Sequence, residues 1–93
     1  MIIGTCKIEL RLFSPNSLKE KRRILNSLIE RLKNKFNISV AEVGSNELWQ
    51  KSTLGIAVVT NNTSHANEVL DKVIDFIDDF ADVEIISVNI EIL

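Results

Sequence analysis

The sequence has few of the residue types that build disulfides, metal centres and phosphate-binding loops. It contains a single cysteine, Cys6, and a single histidine, His65. One cysteine cannot form an internal disulfide, and it excludes two-cysteine metal and redox motifs. The three glycines, Gly4, Gly44 and Gly55, are scattered, so they cannot form a glycine-rich phosphate loop. From these absences we expect no enzymatic activity, no cofactor and no metal site.

Long hydrophobic runs are also missing. Nothing approaches the ~18 consecutive apolar residues of a membrane span. The first ten residues alternate and carry charge, which is unlike the continuous apolar segment of a signal peptide. A lone cysteine fits a reducing compartment. We therefore expect a cytoplasmic protein that has no membrane partner.

What is present is enough apolar sequence for one core, with an uneven distribution of charge. The chain has 93 residues, of which 45% are hydrophobic, so we expect a single domain over residues 1–93. The formal net charge is only −2. Residues 17–36 nevertheless carry seven bases against two acids, and residues 63–84 carry seven acids against one base. This asymmetry fits a polar partner surface, and it equally fits two helices that lie side by side and attract each other.

The spacing of apolar residues predicts six secondary-structure elements. Residues 2–13 alternate with a period of two, which is typical of a strand buried on one side. From Leu18 the apolar residues follow the helical period, and both patterns then recur. The predicted elements are a strand at 2–13, a helix at 18–36, strands at 38–43 and 52–60, a helix at 65–80 and a strand at 83–93. The order β-α-β-β-α-β predicts an α+β, ferredoxin-like fold, in which two helices cover one face of a four-stranded antiparallel sheet.

The third predicted strand is apolar on both faces. Leu54, Ile56 and Val58 share one parity, while Ala57 and Val59 share the other. The second strand is similar, so its inward parity stays ambiguous. Because strands that are apolar on both sides are usually buried on both, we expect a homodimer, or a higher oligomer, that covers part of the open sheet face. The alternative is that one face simply carries scattered apolar residues.

The first helix begins with an unusual group of bases. Lys19, Lys21, Arg22 and Arg23 lie in its first turns, where the helix dipole disfavours positive charge. Lys21 also projects close to the apolar stripe, where a hydrophobic residue is expected. A site for nucleic acid or another anion explains these departures, because phosphate groups are attracted to bases and to free helix amides. A solvated basic face and a surface for a protein partner remain open as well.

Two residues near the predicted hairpin are candidates for interaction. Trp49 is the only tryptophan, and it either packs over the end of the core or is exposed for a partner. Glu42 is a second candidate interaction residue, whose role the sequence leaves open. RNA recognition by base stacking on the sheet is disfavoured, because the first strand presents charged residues and the third strand, 52–60, has no aromatic residue.

The chain resembles a known family at several of these motifs. The run Ser17-Leu18-Lys19-Glu20-Lys21-Arg22 and the segment Phe36–Val43, with Trp49 and Leu54-Gly55, are similar to the YlxP-like family of small uncharacterised bacterial proteins. The resemblance covers essentially the whole chain. It implies a ferredoxin-like fold, no established enzymatic activity and no catalytic residues to transfer. Genes of that family often lie among genes for transcription and translation factors, which implies work related to RNA or the ribosome.

Together these observations lead to one prediction of function and one alternative. We expect a non-enzymatic accessory protein that contacts RNA or a ribosomal particle through Lys19, Lys21, Arg22 and Arg23. The alternative is an oligomerising protein-interaction module that uses the open sheet face.

Overall fold

The computed structural model describes all residues from Met1 to Leu93 and has the expected order of elements. The sheet is antiparallel, both helices lie on one face of it, and the strands are arranged β2-β3-β1-β4. This is the ferredoxin-like arrangement predicted from the sequence. The elements are β1 (Ile2–Leu12), α1 (Leu18–Lys35), β2 (Ser39–Gly44), β3 (Lys51–Thr60), α2 (Thr63–Asp78) and β4 (Val83–Ile92).

The alternation in β1 separates the two faces of the sheet. Even-numbered residues from Cys6 to Leu12 are buried beneath the helices, on what we call the helix face. Lys7, Glu9 and Arg11 are exposed on the opposite, open face. The core therefore forms between the helix face and the apolar stripes of α1 and α2. Its 15 buried members are Cys6, Ile8, Leu10, Leu12, Leu25, Leu28, Leu32, Leu54, Ile56, Val58, Ala66, Leu70, Val73, Ile77 and Val83.

Strand register settles the parity of β2, which the sequence leaves ambiguous. Val40 lies opposite Ile56, and Glu42 lies opposite Leu54. Directly opposed residues share a face, and both β3 partners are buried. Val40 and Glu42 therefore point toward the helices, so β2 places a carboxylate at the margin of the core.

Side-chain caps fix where both helices begin. The Ser17 hydroxyl accepts the amide N–H of Glu20 at 3.1 Å, and the Glu20 carboxylate in turn accepts the N–H of Asn16 at 2.8 Å. At the start of α2, the Asn62 side-chain oxygen accepts the N–H of His65 at 3.1 Å. These bonds satisfy amides that have no partner inside the helix.

The end of α1 contacts α2 and the residues that follow it through cations and aromatic rings. The guanidinium of Arg31 lies 5.6 Å from the ring centroid of Phe80, and the Lys35 ammonium lies 5.2 Å from that of Phe76. No ion pair joins α1 to α2, although their opposite charges predict attraction. The bases at the end of α1 therefore act through ring faces, each such contact contributing about 0.5–1 kcal/mol when exposed.

An irregularity in β4 alters the face predicted for one residue. The alternation of apolar residues from Ile86 to Ile92 predicts that Ile86 shares a face with Val88 and Ile90, and this prediction is wrong. The β1–β4 register shifts between Glu9 and Leu10, which leaves Ile86 as the extra residue of a β-bulge. Ile85 takes the inward position opposite Leu10, and Ile86 is 48% exposed.

Neither helix is both long and apolar enough to cross a membrane.

Candidate functional site

A buried ion pair connects the start of α1 to the sheet. The Lys21 ammonium lies 2.9 Å from Oε2 of Glu42, and the Lys21 side chain is only 1% exposed. The Ser52 hydroxyl donates to the same carboxylate oxygen at 2.7 Å. Lys21 comes from the apolar stripe of α1, Glu42 from the inward face of β2 and Ser52 from β3. Three elements therefore meet at one polar cluster on the margin of the core.

The same lysine holds the loop that joins β2 to β3, residues 45–50. Its ammonium donates to the carbonyl oxygen of Ser45 at 2.6 Å and to that of Asn46 at 3.5 Å. Ser45 has a φ of 58°, a left-handed conformation that is uncommon for a residue other than glycine. The Asn46 amide donates to Oε1 of Glu42 at 3.4 Å. Because no buried side-chain polar atom is left without a partner, the cluster is internally satisfied.

This geometry corrects the role predicted for Lys21. The sequence groups it with three other bases as a candidate anion-binding residue, but its ammonium is enclosed and engaged by three oxygen acceptors. A buried, paired ammonium is not available to a phosphate group on the surface. Glu42 is likewise occupied, with its side chain 18% exposed. Both residues position the loop, and neither presents a free charge to a partner.

The other three predicted bases lie on the surface. Lys19, Arg22 and Arg23 are all exposed, and none of them forms an ion pair. The only acid in the first turn is Glu20, whose carboxylate accepts the Asn16 amide. These three unpaired bases therefore lie at the helix end that already carries partial positive charge from its free amides.

The loop that Lys21 ties to the start of α1 presents two large apolar side chains. Leu48 and Trp49 are each 51% exposed, so Trp49 does not pack fully over the core. The loop is fastened to the segment before α1, because the Gln50 amide donates to the carbonyl of Pro15 at 3.4 Å. Asn16 and residues 47–51 line a shallow depression of about 570 Å³. We call the bases Lys19, Arg22 and Arg23, together with Leu48 and Trp49, the loop-end surface.

A further aromatic residue at the end of β1 escaped sequence analysis. Phe13 is 53% exposed, directly after the last residue of β1, and the Arg11 guanidinium lies 5.6 Å from its ring centroid. Arg11 also forms an exposed ion pair with Glu84 at 3.0 Å. The signal available in the sequence was the aromatic at the point where the strand alternation ends. A flat ring beside a guanidinium is a common element of surfaces that stack bases.

The remaining candidates for chemistry have ordinary environments. Burial raises the pKa of the Cys6 thiol from 9.0 to about 11, so the nucleophilic thiolate is disfavoured. His65 is exposed in the first turn of α2. No group of three or more His, Cys, Asp or Glu side chains is placed to hold a metal ion. The loop-end surface combines three unpaired bases with two exposed apolar side chains.

Comparisons with known proteins agree with the fold and carry no activity. The model of a family described as "Protein of unknown function (DUF503)" matches residues 3–90. The chain is similar to the uncharacterized protein YlxP of Bacillus subtilis (strain 168), with 37% identity over 83 residues, which is 89% of this chain and 90% of that one.

Similar solved structures include two de novo designed proteins. One, LFR1 1 with ferredoxin fold, has a TM-score of 0.55 at 9% identity and covers 100% of this chain and 84% of its own. The other, Foldit4, has a TM-score of 0.54 at 13% identity and covers 98% of this chain and 96% of its own. At these identities the likeness concerns the fold alone.

Proposed function

The chain belongs to the DUF503 family, whose function is unknown, and we propose that it is a non-enzymatic accessory protein that contacts RNA or a ribosomal particle. The observation that supports this proposal is the loop-end surface. Its three bases are exposed and unpaired at the N-terminal end of α1, where the helix dipole disfavours positive charge. Local choices that oppose stability are commonly found at functional sites.

The aromatic content of this surface favours unpaired RNA over a plain duplex. Single-stranded nucleic acid is held by bases that follow the phosphates and by aromatic rings on which nucleobases stack. Lys19, Arg22 and Arg23 supply the charge, and Trp49 supplies the ring. The role of Lys21 is then indirect, because it fixes the loop that carries Trp49 relative to the helix that carries the bases.

Charge reversal at the loop-end surface tests this proposal. The measurement is co-sedimentation with ribosomal subunits, and binding of a single-stranded RNA, at low and moderate salt. We expect wild-type association to weaken as salt rises and to be lost in Lys19→Glu/Arg22→Glu, since phosphate contacts depend on counterion release. The matched control is Lys7→Glu/Lys33→Glu, which makes the same charge change at two exposed, unpaired bases outside this surface.

Substitution of the tryptophan separates stacking from charge. Trp49→Ala is expected to weaken RNA binding by about 1–3 kcal/mol per stacked base while leaving the dependence on salt almost unchanged. Equal losses in the Lys19→Glu/Arg22→Glu variant and its control would mean that only net charge matters. Absence of association at both salt concentrations would remove RNA as the partner.

Self-association through the open sheet face is the second candidate. Val43 and Val59 are 58% and 65% exposed there. Between them Gly55, Ala57 and Ala41 help to line a depression of about 480 Å³. Val43 lies across Gly55, where an added Cβ would meet its Cγ1 at 2.9 Å. The check is the oligomeric state of Val59→Lys by sedimentation, and an unchanged dimer would exclude this face.

A further inference from the structure

The outer strand β4 is exposed in a way that edge strands usually avoid. All residues from Ile86 to Glu91 are exposed, and three of them are large and apolar: Ile86 at 48%, Val88 at 39% and Ile90 at 37%. Edge strands are commonly protected by short length, proline or lysine. β4 has ten residues, with no proline and no base. The bulge at Ile86, which is another protective feature of edge strands, lies at the start of this stretch, and beyond it residues 87–92 form a regular apolar edge that is suited to pairing with another strand.

The hydrogen bonds to β1 show which backbone groups of β4 are free. Ile3 and Leu93 exchange both of their bonds, at 3.1 and 2.7 Å. In an antiparallel ladder such pairs alternate, so Glu91 and Asn89 also direct their N–H and C=O groups toward β1. The intervening residues Val88 and Ile90 therefore direct theirs away from the sheet. The free backbone groups thus belong to the residues with exposed apolar side chains.

We propose that a second copy of this chain pairs antiparallel along β4, with the twofold axis at Asn89, so that the two sheets form one continuous eight-stranded sheet. Val88 of each copy then lies opposite Ile90 of the other in a hydrogen-bonded pair, and both side chains lie on the helix face. Asn89 meets Asn89 of the second copy on the open face as a closely spaced pair. A twofold axis makes the interface self-complementary, as most dimers require.

The pattern of side chains is compatible with this register and supports a second copy as the partner. With the axis at Asn89, apolar Val88 faces Ile90, and Glu91 faces Ser87 of the second copy. An axis at Glu91 brings two carboxylates together, which is destabilising. An axis at Val88 requires regular pairing of Ile86, which lies in the bulge. Because the side chains of β4 are compatible with those of a second β4, a second copy can bond the free backbone groups of Val88 and Ile90 without any other partner.

This inference is independent of the RNA proposal and of the open sheet face. The loop-end surface and β4 share no residue, and pairing at the edge leaves the open face of each sheet uncovered. The test of the β4 dimer therefore does not depend on whether the chain binds RNA.

The first test compares matched substitutions of valine by lysine. Val88→Lys places a charge on the proposed edge, and Val59→Lys makes the same change on the open face, where Val59 is 65% exposed. Oligomeric state is measured by sedimentation up to about 100 μM, because an edge interface is small. We expect the wild-type protein to be a dimer. Val88→Lys should raise the dissociation constant of this dimer at least about tenfold, and Val59→Lys should leave the constant unchanged. A monomeric wild-type protein, or a dimer lost only in Val59→Lys, would overturn the proposal.

The second test reports the register directly. Asn89→Cys brings two thiols together at the twofold axis, in a closely spaced pair whose Cα separation suits a disulfide. Ser87→Cys is the matched control, because in this register its thiols lie far apart. Cys6 does not interfere, since it is buried. We expect mild oxidation to cross-link Asn89→Cys at least about tenfold faster than Ser87→Cys. Equal rates would indicate random collision and contradict the proposed pairing.

Discussion

Lys21 uses its charge inside the protein, and this use explains why a base occupies the apolar stripe of α1. Burying an ammonium is unfavourable unless its charge is paired and its N–H groups are bonded. Glu42 provides the opposite charge at 2.9 Å, and the carbonyl oxygens of Ser45 and Asn46 take the remaining bonds. These contacts fix the position of the start of α1 relative to β2 and to the loop that follows it, because the partners of Lys21 come from those two segments.

The first prediction concerns the stability that this ion pair provides. Lys21→Met is expected to lower the free energy of unfolding by about 2–4 kcal/mol, because Glu42 then loses its partner of opposite charge while only 18% of its side chain is exposed. Lys21→Met/Glu42→Leu should recover part of that loss, since no unpaired charge remains. Urea unfolding measures both values, and Arg22→Met serves as the control, expected to stay within about 0.5 kcal/mol of wild type. An equal loss in Lys21→Met and Arg22→Met would show that the pair contributes nothing specific.

The prediction at Cys6 follows from its burial. Because the folded-state pKa is raised from 9.0 to about 11, the unfolded chain ionises its thiol first as pH rises. The stability due to this thiol is therefore fully present below pH 9 and is lost as pH approaches 11. At pH 8 we expect a thiol reagent to label Cys6 only after unfolding in urea. The exposed thiol of Cys6→Ser/Asn67→Cys, on α2, should react promptly, and prompt labelling of native Cys6 would contradict the buried environment.

At the scale of elements, sequence reasoning succeeded where periodicity is strong and failed where a side chain depends on its partner. Alternation in β1 and the helical stripe of α1 indicate their inward faces directly. The sequence also showed that Lys21 is out of place on that stripe. It could not supply the reason, because the parity of β2 was ambiguous and the pairing depends on Glu42 pointing inward. The bulge at Ile86 likewise depends on register between distant strands, which local pattern does not contain.

The bases at the start of α1 are predicted to lower the stability of the protein while they strengthen RNA binding. Lys19→Glu places an acid in the first turn and should raise the free energy of unfolding by about 0.3–1 kcal/mol, because the helix dipole favours negative charge there. The same substitution should weaken RNA binding. Lys33→Glu in the last turn is the matched control and should lower stability by a similar amount. Thermal unfolding measures the stabilities, and a destabilised Lys19→Glu protein would show that the amino group has a structural partner.

At the scale of the whole molecule, the two proposed associations should respond to salt in opposite directions. RNA binding through three bases should fall with a slope of about −2 in log K against log salt, at roughly 0.7 per phosphate contact for single strands. Pairing along β4 brings together two copies of a strand whose only charges, Glu84 and Glu91, are both negative. Screening this repulsion should strengthen the dimer modestly as salt rises.

One buffer series separates these behaviours in a single preparation. Sedimentation of the protein alone, and RNA binding of the Val88→Lys variant, are measured between about 50 and 300 mM salt, a range in which the screening length shortens considerably. We expect dimerisation to hold or increase while RNA affinity declines, and the variant to keep the salt slope of wild type. A dimer that dissociates with salt would point to an interface held by ion pairs, which β4 does not provide. If RNA binding is lost in Val88→Lys, the two surfaces are coupled, because the dimer is then what presents two loop-end surfaces to one RNA.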